Sequence, residues 1–179
     1  IYDTNLFLLL LIRVVLLPGK AGVYVIMLIC DLHCDTVHKL SEFGLRDNPT
    51  AHVDLNRMLS ARYALGTFAA FVDAKKTSFP SPWDECLSLL GRLHDEINSN
   101  SDIITPALWS GDIEAALSSG KMLALLSAEE GGVIEHDISR LDKLFSLGVR
   151  MMTITWNYEN TLACPAYCSG AVGAKPTVV

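Results

Sequence analysis

The sequence predicts an α/β chain built on a parallel sheet, and three observations lead there. Apolar runs of strand length alternate with segments of helical spacing, the pattern of consecutive βα units. The runs show no polar alternation, as suits strands buried on both faces of a parallel sheet. Three of the four runs end in polar clusters: His33 with Asp35, Glu129 with Glu130, and the stretch 157–160. Parallel α/β folds bind their ligands at the carboxyl ends of the strands.

The first strand is expected over 23–30, directly before Asp31-Leu32-His33-Cys34-Asp35-Thr36. Side chains two apart on a strand share a side, so His33 and Asp35 project together. An imidazole and a carboxylate converging in this way suit Zn2+ or a similar divalent ion. A short helix is expected over 37–43, stopped by Gly44, and a helical turn or two over 52–59 with Leu55, Met58 and Leu59 inward. The second strand is expected over 63–72, followed by a polar loop, 73–82, that holds two prolines. Residues 83–98 read as an amphipathic helix with Cys86, Leu87, Leu89, Leu90, Leu93 and Ile97 on one face, and Ser81 or Ser99 marking its ends.

A short helix over 112–117 should stop at Gly120. The third strand, 121–128, runs into Glu129-Glu130-Gly131-Gly132. A helix over 138–147 carries an Ile138, Leu141, Leu144 and Phe145 stripe and closes at Gly148. The fourth strand, 149–155, leads to Trp156-Asn157-Tyr158-Glu159-Asn160, and 161–179 is an irregular tail.

Composition removes several function classes. The 179 residues carry a net charge of -6 with no basic stripe, so nucleic acid is not expected as a partner. No glycine-rich phosphate-binding motif follows the first strand. The cysteines, Cys30, Cys34, Cys86, Cys164 and Cys168, are scattered without a CxxC pair, which suits a reducing compartment. Cys164 and Cys168 lack the second pair that a zinc ribbon needs. The apolar segment 6–17 is interrupted by Arg13 and is shorter than the roughly 20 residues that span a bilayer. No basic region precedes it, as a signal peptide would require. Residues 1–26 are therefore read as upstream sequence outside the fold, with Met27 a natural start and a degraded signal or membrane anchor the alternative. The expected location is the cytoplasm, with export or anchoring through 1–26 the alternative.

Four stretches, in this order, resemble the membrane dipeptidase (renal dipeptidase) family of zinc peptidases, peptidase family M19, in its bacterial branch. They are Asp31 to Thr36, His52-Val53-Asp54-Leu55, Ser127-Ala128-Glu129-Glu130-Gly131-Gly132, and the stretch 147–160. The resemblance implies a (β/α)8 TIM-type barrel, two Zn2+ ions per intact enzyme, and hydrolysis of dipeptides by a metal-activated water. It places His33 and Asp35 as ligands of the first zinc. It places Glu130 as the catalytic carboxylate bridging both metals, with a one-residue slip to Glu129 as the alternative. Trp156 and Asn157 fall where the family lines its substrate pocket.

The family's two further His ligands and its substrate-binding Arg lie downstream of anything found here. A barrel needs about 250 residues. The chain therefore reads as about four βα units, with 27–160 the N-terminal half of a barrel and 161–179 a tail at a truncation point. At most one metal is expected in such a fragment. Its open edges should favour a homodimer or aggregation. An inactive remnant serving as an interaction module, or another amidohydrolase-type hydrolase, are the alternative functions. Among the remaining residues, His38 is read as packing or surface, His52 and Asp54 as loop-fixing, His94 as solvated, and Asp137 as a helix N-cap.

Overall fold

The computed structural model describes residues 17–19, 22–24 and 28–165. Strands β1 (Leu17–Gly19) and β2 (Gly22–Tyr24) form an antiparallel pair. The main sheet has five strands, all parallel: β3 (Ile29–Cys34), β4 (Tyr63–Phe71), β5 (Ile104–Pro106), β6 (Met122–Glu129) and β7 (Val149–Thr153). Helices α1 (Leu55–Ser60), α2 (Pro82–Ser99), α3 (Ser110–Ser119) and α4 (Ser139–Ser146) lie in the connections. No helix among the described residues is long and apolar enough to cross a membrane.

The centre of the sheet is the β4–β6 ladder, paired without interruption from Leu65↔Leu123 to Phe71↔Glu129. Pairs in register share a face. Phe68, Ala70, Leu126 and Ala128 lie on the face packed against Cys86, Leu89, Leu90, Leu93 and Ile97 of α2. Thr67, Ala69, Ser127 and Glu129 lie on the other. The α2 stripe has helical spacing, and the helix starts where its side-chain chemistry dictates. Ser81 accepts the Asp84 backbone N–H as N-cap, and Pro82 occupies the first turn. At the opposite end of α3, Gly120 takes the left-handed conformation, φ +70°, that a glycine adopts without strain.

Four expectations need correction. The first strand spans Ile29–Cys34 rather than 23–30; residues 25–27 lie outside the described residues, as do Cys168 and the last part of the tail. It can include Asp31 and His33 because among the described residues it is the sheet's edge and stays partly open. The sequence offered no strand at Ile104–Pro106, where three residues including a proline carry no legible pattern. Leu59 is 38% exposed, and α1 buries only Leu55 and Met58. On α4 only Leu144 is buried, at 3% exposure; Ile138, Leu141 and Phe145 remain 38–51% exposed, with Phe145 against Trp109, the residue before α3.

Strands β5 and β7 share one edge of β6. β5 pairs with residues 122–124 and β7 with residues 126–129. The β3, β4, β6 and β7 ends therefore point the same way, and the loops leaving them meet at one end of the sheet.

Phe68→Ala should lower the unfolding free energy by about 3–5 kcal/mol, because the ring is fully buried against α2. Leu141→Ala on the open stripe should change it by only about 0.5 kcal/mol. Urea denaturation of the two variants checks this, and equal losses would mean that the α4 stripe is covered in solution.

Candidate metal centre

His33 projects from the end of β3 and Glu129 from the end of β6, on either side of β4. Between them β4 offers the small Ala69 and, beyond it, Phe71 on the same face as Glu129. The His33 Nε2 lies 3.2 Å from Asp35 Oδ1 and 3.1 Å from Glu129 Oε2. One ligand atom from each residue falls within 4.8 Å of the others. The His33 backbone N–H donates to Asp31 Oδ1 at 3.0 Å, which ties down the strand end that carries the imidazole.

The electrostatics of the cluster favour a positive charge on His33. The hydrogen bond to Asp35, then that to Glu129, raises the His33 pKa to about 10 against the opposing effect of burial. The same His33 contact holds the Asp35 carboxyl below its usual range. One imidazole nitrogen and two carboxylate oxygens form the mixed donor set that Zn2+ and similar divalent ions accept. The raised pKa favours a proton on His33, the place that a metal ion held by the same three side chains would take.

The structure brings Glu129, not Glu130, to His33 and Asp35. Successive strand side chains point to opposite faces, and β6 holds regular geometry through Glu129. Glu130 leaves the strand at φ +91°, a conformation costing a non-glycine residue about 1–3 kcal/mol. Its carboxylate is 1% exposed. It accepts the Gly132 backbone N–H at 2.8 Å, the Trp156 backbone N–H at 3.1 Å and the Asn160 side-chain N–H at 2.5 Å. A one-residue difference thus separates the partly buried carboxylate that meets His33 from the fully buried one that accepts the loop N–H groups. Apolar residues cover both faces of β6, so its sequence carries no alternation to tell them apart.

Trp156 stands beside this cluster. Its ring meets Phe71 edge-on at 4.7 Å and Tyr158 at 5.6 Å, and Lys75 Nζ sits 4.1 Å above the Tyr158 ring. Phe71 is the register partner of Glu129, so this aromatic wall adjoins the carboxylate. Asn157 is exposed. Tyr158 and Asn160 belong to the strand-end cluster that the sequence singles out, whereas Phe71 had no role in the sequence reading; only the β4–β6 register could have pointed to it.

The other polar residues serve the scaffold. His38 packs edge-on against Phe71 at 5.7 Å. Asp54 caps α1 and accepts N–H bonds from Arg57 and Asn48, and the His52 carbonyl accepts from Arg57. His94 is not simply solvated: its Nε2 lies 2.8 Å from the Leu147 carbonyl at the end of α4. Asp137 Oδ1 accepts from both the Ser139 N–H and the Ser139 hydroxyl.

The sequence profile of the family described as membrane dipeptidase (peptidase family M19) matches residues 21–171. A Schizosaccharomyces pombe protein described as an uncharacterized dipeptidase is 26% identical over 149 residues, 77% of this chain and 35% of that protein. Two solved structures share the fold. A metallopeptidase from Rhodobacter sphaeroides, liganded with a phosphinate mimic of the dipeptide L-Ala-D-Ala, has a TM-score of 0.68 at 18% identity, over 76% of this chain and 48% of that one. A dipeptidase described as a metallopeptidase of family M19 has a TM-score of 0.67 at 20% identity, over 76% of this chain and 45% of that one. The chain thus spans about half or less of the relatives it matches, and its parallel α/β sheet corresponds to part of their TIM-type fold.

In metal-free protein the His33 imidazole should titrate far above 6.5, toward about 10. Because the folded pKa is raised, the contribution to stability is complete below about pH 6.5 and is lost as pH rises through about 10. Glu129→Gln and Asp35→Asn should each bring the titration back toward the ordinary value. Histidine NMR titration reads this directly, and an unshifted His33 in the parent chain would contradict the cluster.

Proposed function

The chain belongs to the membrane dipeptidase family, peptidase family M19, and on that premise we propose that it carries part of the active site of a zinc-dependent dipeptidase. The observation that carries the reading is the convergence of His33, Asp35 and Glu129 at the carboxyl ends of parallel strands. Strand ends of this kind are where the barrel fold places its chemistry.

In this reading His33, Asp35 and Glu129 hold one Zn2+. When bound, it supplies a Lewis acid and lowers the pKa of water toward neutrality. The chain's own residues do the rest. Asp35 and Glu129 balance the cation's charge from two sides. The Asp31 contact orients the His33 backbone, so that its ring nitrogen faces the carboxylates. The wall of Phe71, Trp156 and Tyr158 excludes water from one flank and offers apolar surface to a dipeptide side chain. The Rhodobacter sphaeroides relative, with its dipeptide mimic, supports dipeptides as the substrate class. A second metal, and a group that grips the substrate carboxylate, would come from the other half of the barrel.

Two measurements test this. Calorimetry on the 179-residue chain should find no more than one Zn2+ per chain. Binding near pH 7.5 should release about one proton from His33, visible as a dependence of the heat on buffer ionisation. His33→Ala and Glu129→Ala should each weaken binding by about 100-fold or more, at or beyond the loss of a supporting group. Alone the chain should show no dipeptide turnover. A gene product that includes the remaining barrel should hydrolyse dipeptides, stop when metal is chelated, and resume when Zn2+ is restored. Turnover by that product that is indifferent to chelation and to His33→Ala would end the reading.

A further inference from the structure

We propose that Glu130 is a positioning residue: its carboxylate latches the loop after β7 onto the end of β6 and so holds Trp156 as a wall of the substrate pocket. The proposal rests on the reading of His33, Asp35 and Glu129 as the metal centre.

The latch is built from both sides. Glu130 is a buried carboxylate, and among the described residues no basic side chain pairs with it. Its donors are N–H groups: one from its own turn, Gly132, and two from the loop, Trp156 and Asn160. Bonds to an ionised acceptor are roughly twice as strong as neutral ones, and two carboxylate oxygens accept all three donors at once. Asn160 in turn gathers the loop. Its side-chain N–H groups reach Glu130 and the Ile154 carbonyl, while its Oδ1 accepts from the Leu162 and Ala163 backbone.

The turn after Glu130 is shaped for this contact. A Cβ on Gly131 would lie 2.6 Å from the Ile154 carbonyl oxygen. On Gly132 it would lie 2.7 Å from Glu130 Oε1 and 2.9 Å from Asn160 Cβ. The glycine pair thus lets the loop reach the strand end, and the carboxylate holds it there. Trp156 is one of the latched residues, and its ring rests on Phe71, the register partner of Glu129. Two consecutive acids then divide the work: Glu129 belongs to the cluster, and Glu130 fixes the height of the wall beside it.

The test uses the full 179-residue chain with Trp83→Phe and Trp109→Phe, which leaves Trp156 as its only indole. Two quantities are read: acrylamide quenching of Trp156 and Zn2+ affinity by calorimetry. Glu130→Gln should raise the quenching constant severalfold while Zn2+ affinity changes by less than about 10-fold, below the range lost with a supporting group of a metal ligand. Quenching of Trp83, read in a chain with Trp109→Phe and Trp156→Phe, should stay as in the parent; a merely structural loss would move both indoles. Should Glu130→Gln fail to fold, Asn160→Ala decides, since it removes one donor and keeps the carboxylate; its Trp156 quenching should also rise. Unchanged Trp156 quenching in the folded variants overturns the latch. So does a fall in Zn2+ affinity of about 100-fold in Glu130→Gln, which would make Glu130 a ligand. If the parent chain binds no Zn2+, the metal reading fails by itself, while the quenching comparison still decides whether Glu130 holds the loop.

Discussion

The uninterrupted parallel ladder between β4 and β6 is the constraint on which the rest of the structure depends. Its seven register pairs end at Phe71↔Glu129. That last pair fixes how high Glu129 stands above the sheet, where it meets His33, and which aromatic ring lies beside it. A one-residue slip would exchange the faces of every side chain on one strand. Here it would bury the carboxylate that faces His33 and expose the one that grips the loop. Burial on both sides resists such a slip. Phe68, Ala70, Leu126 and Ala128 are locked against α2, and Thr67, Ala69 and Ser127 are buried on the reverse face.

The three-residue cluster favours a positive charge. Two carboxylates near one imidazole keep it protonated well beyond the usual histidine range. The side chains nonetheless remain partly open to solvent, so the interaction is screened and exchangeable. That combination would let a metal ion take the place of the proton without unfolding the chain. Glu130 has the opposite character: it is closed off, surrounded by N–H donors, and bound to two segments of the chain. Adjacent residues of one type thus have different surroundings because one peptide unit separates the end of a strand from the start of a turn.

Much of this was legible in the sequence. The α2 face, the β4 and β6 runs, and the spacing of His33 and Asp35 all follow from periodicity, and the structure has them where the pattern puts them. The identity of the second carboxylate was not legible, because a strand buried on both faces gives no alternation from which to assign sides. The first strand was misplaced for a related reason. Hydrophobicity marks burial, whereas the pairing of Ile29 with Tyr63 and of Cys34 with Phe68 marks the strand. The α4 stripe was read as core because helical spacing shows only that a face seeks cover. Ile138, Leu141 and Phe145 have the right spacing but stay largely open, even with Trp109 and Arg150 against the Phe145 ring.

The short strand β5 has a geometric consequence. It occupies the first part of the β6 edge and leaves β7 only the second, from Leu126 onward. β5 therefore works as a shim. It keeps β7 short, and β7 ends level with Glu129, so the chain leaves β7 within hydrogen-bonding reach of the turn after β6. If this three-residue strand were lengthened, β7 would be displaced along the edge and the Trp156 loop carried past its anchor, with no change in any residue of the cluster itself.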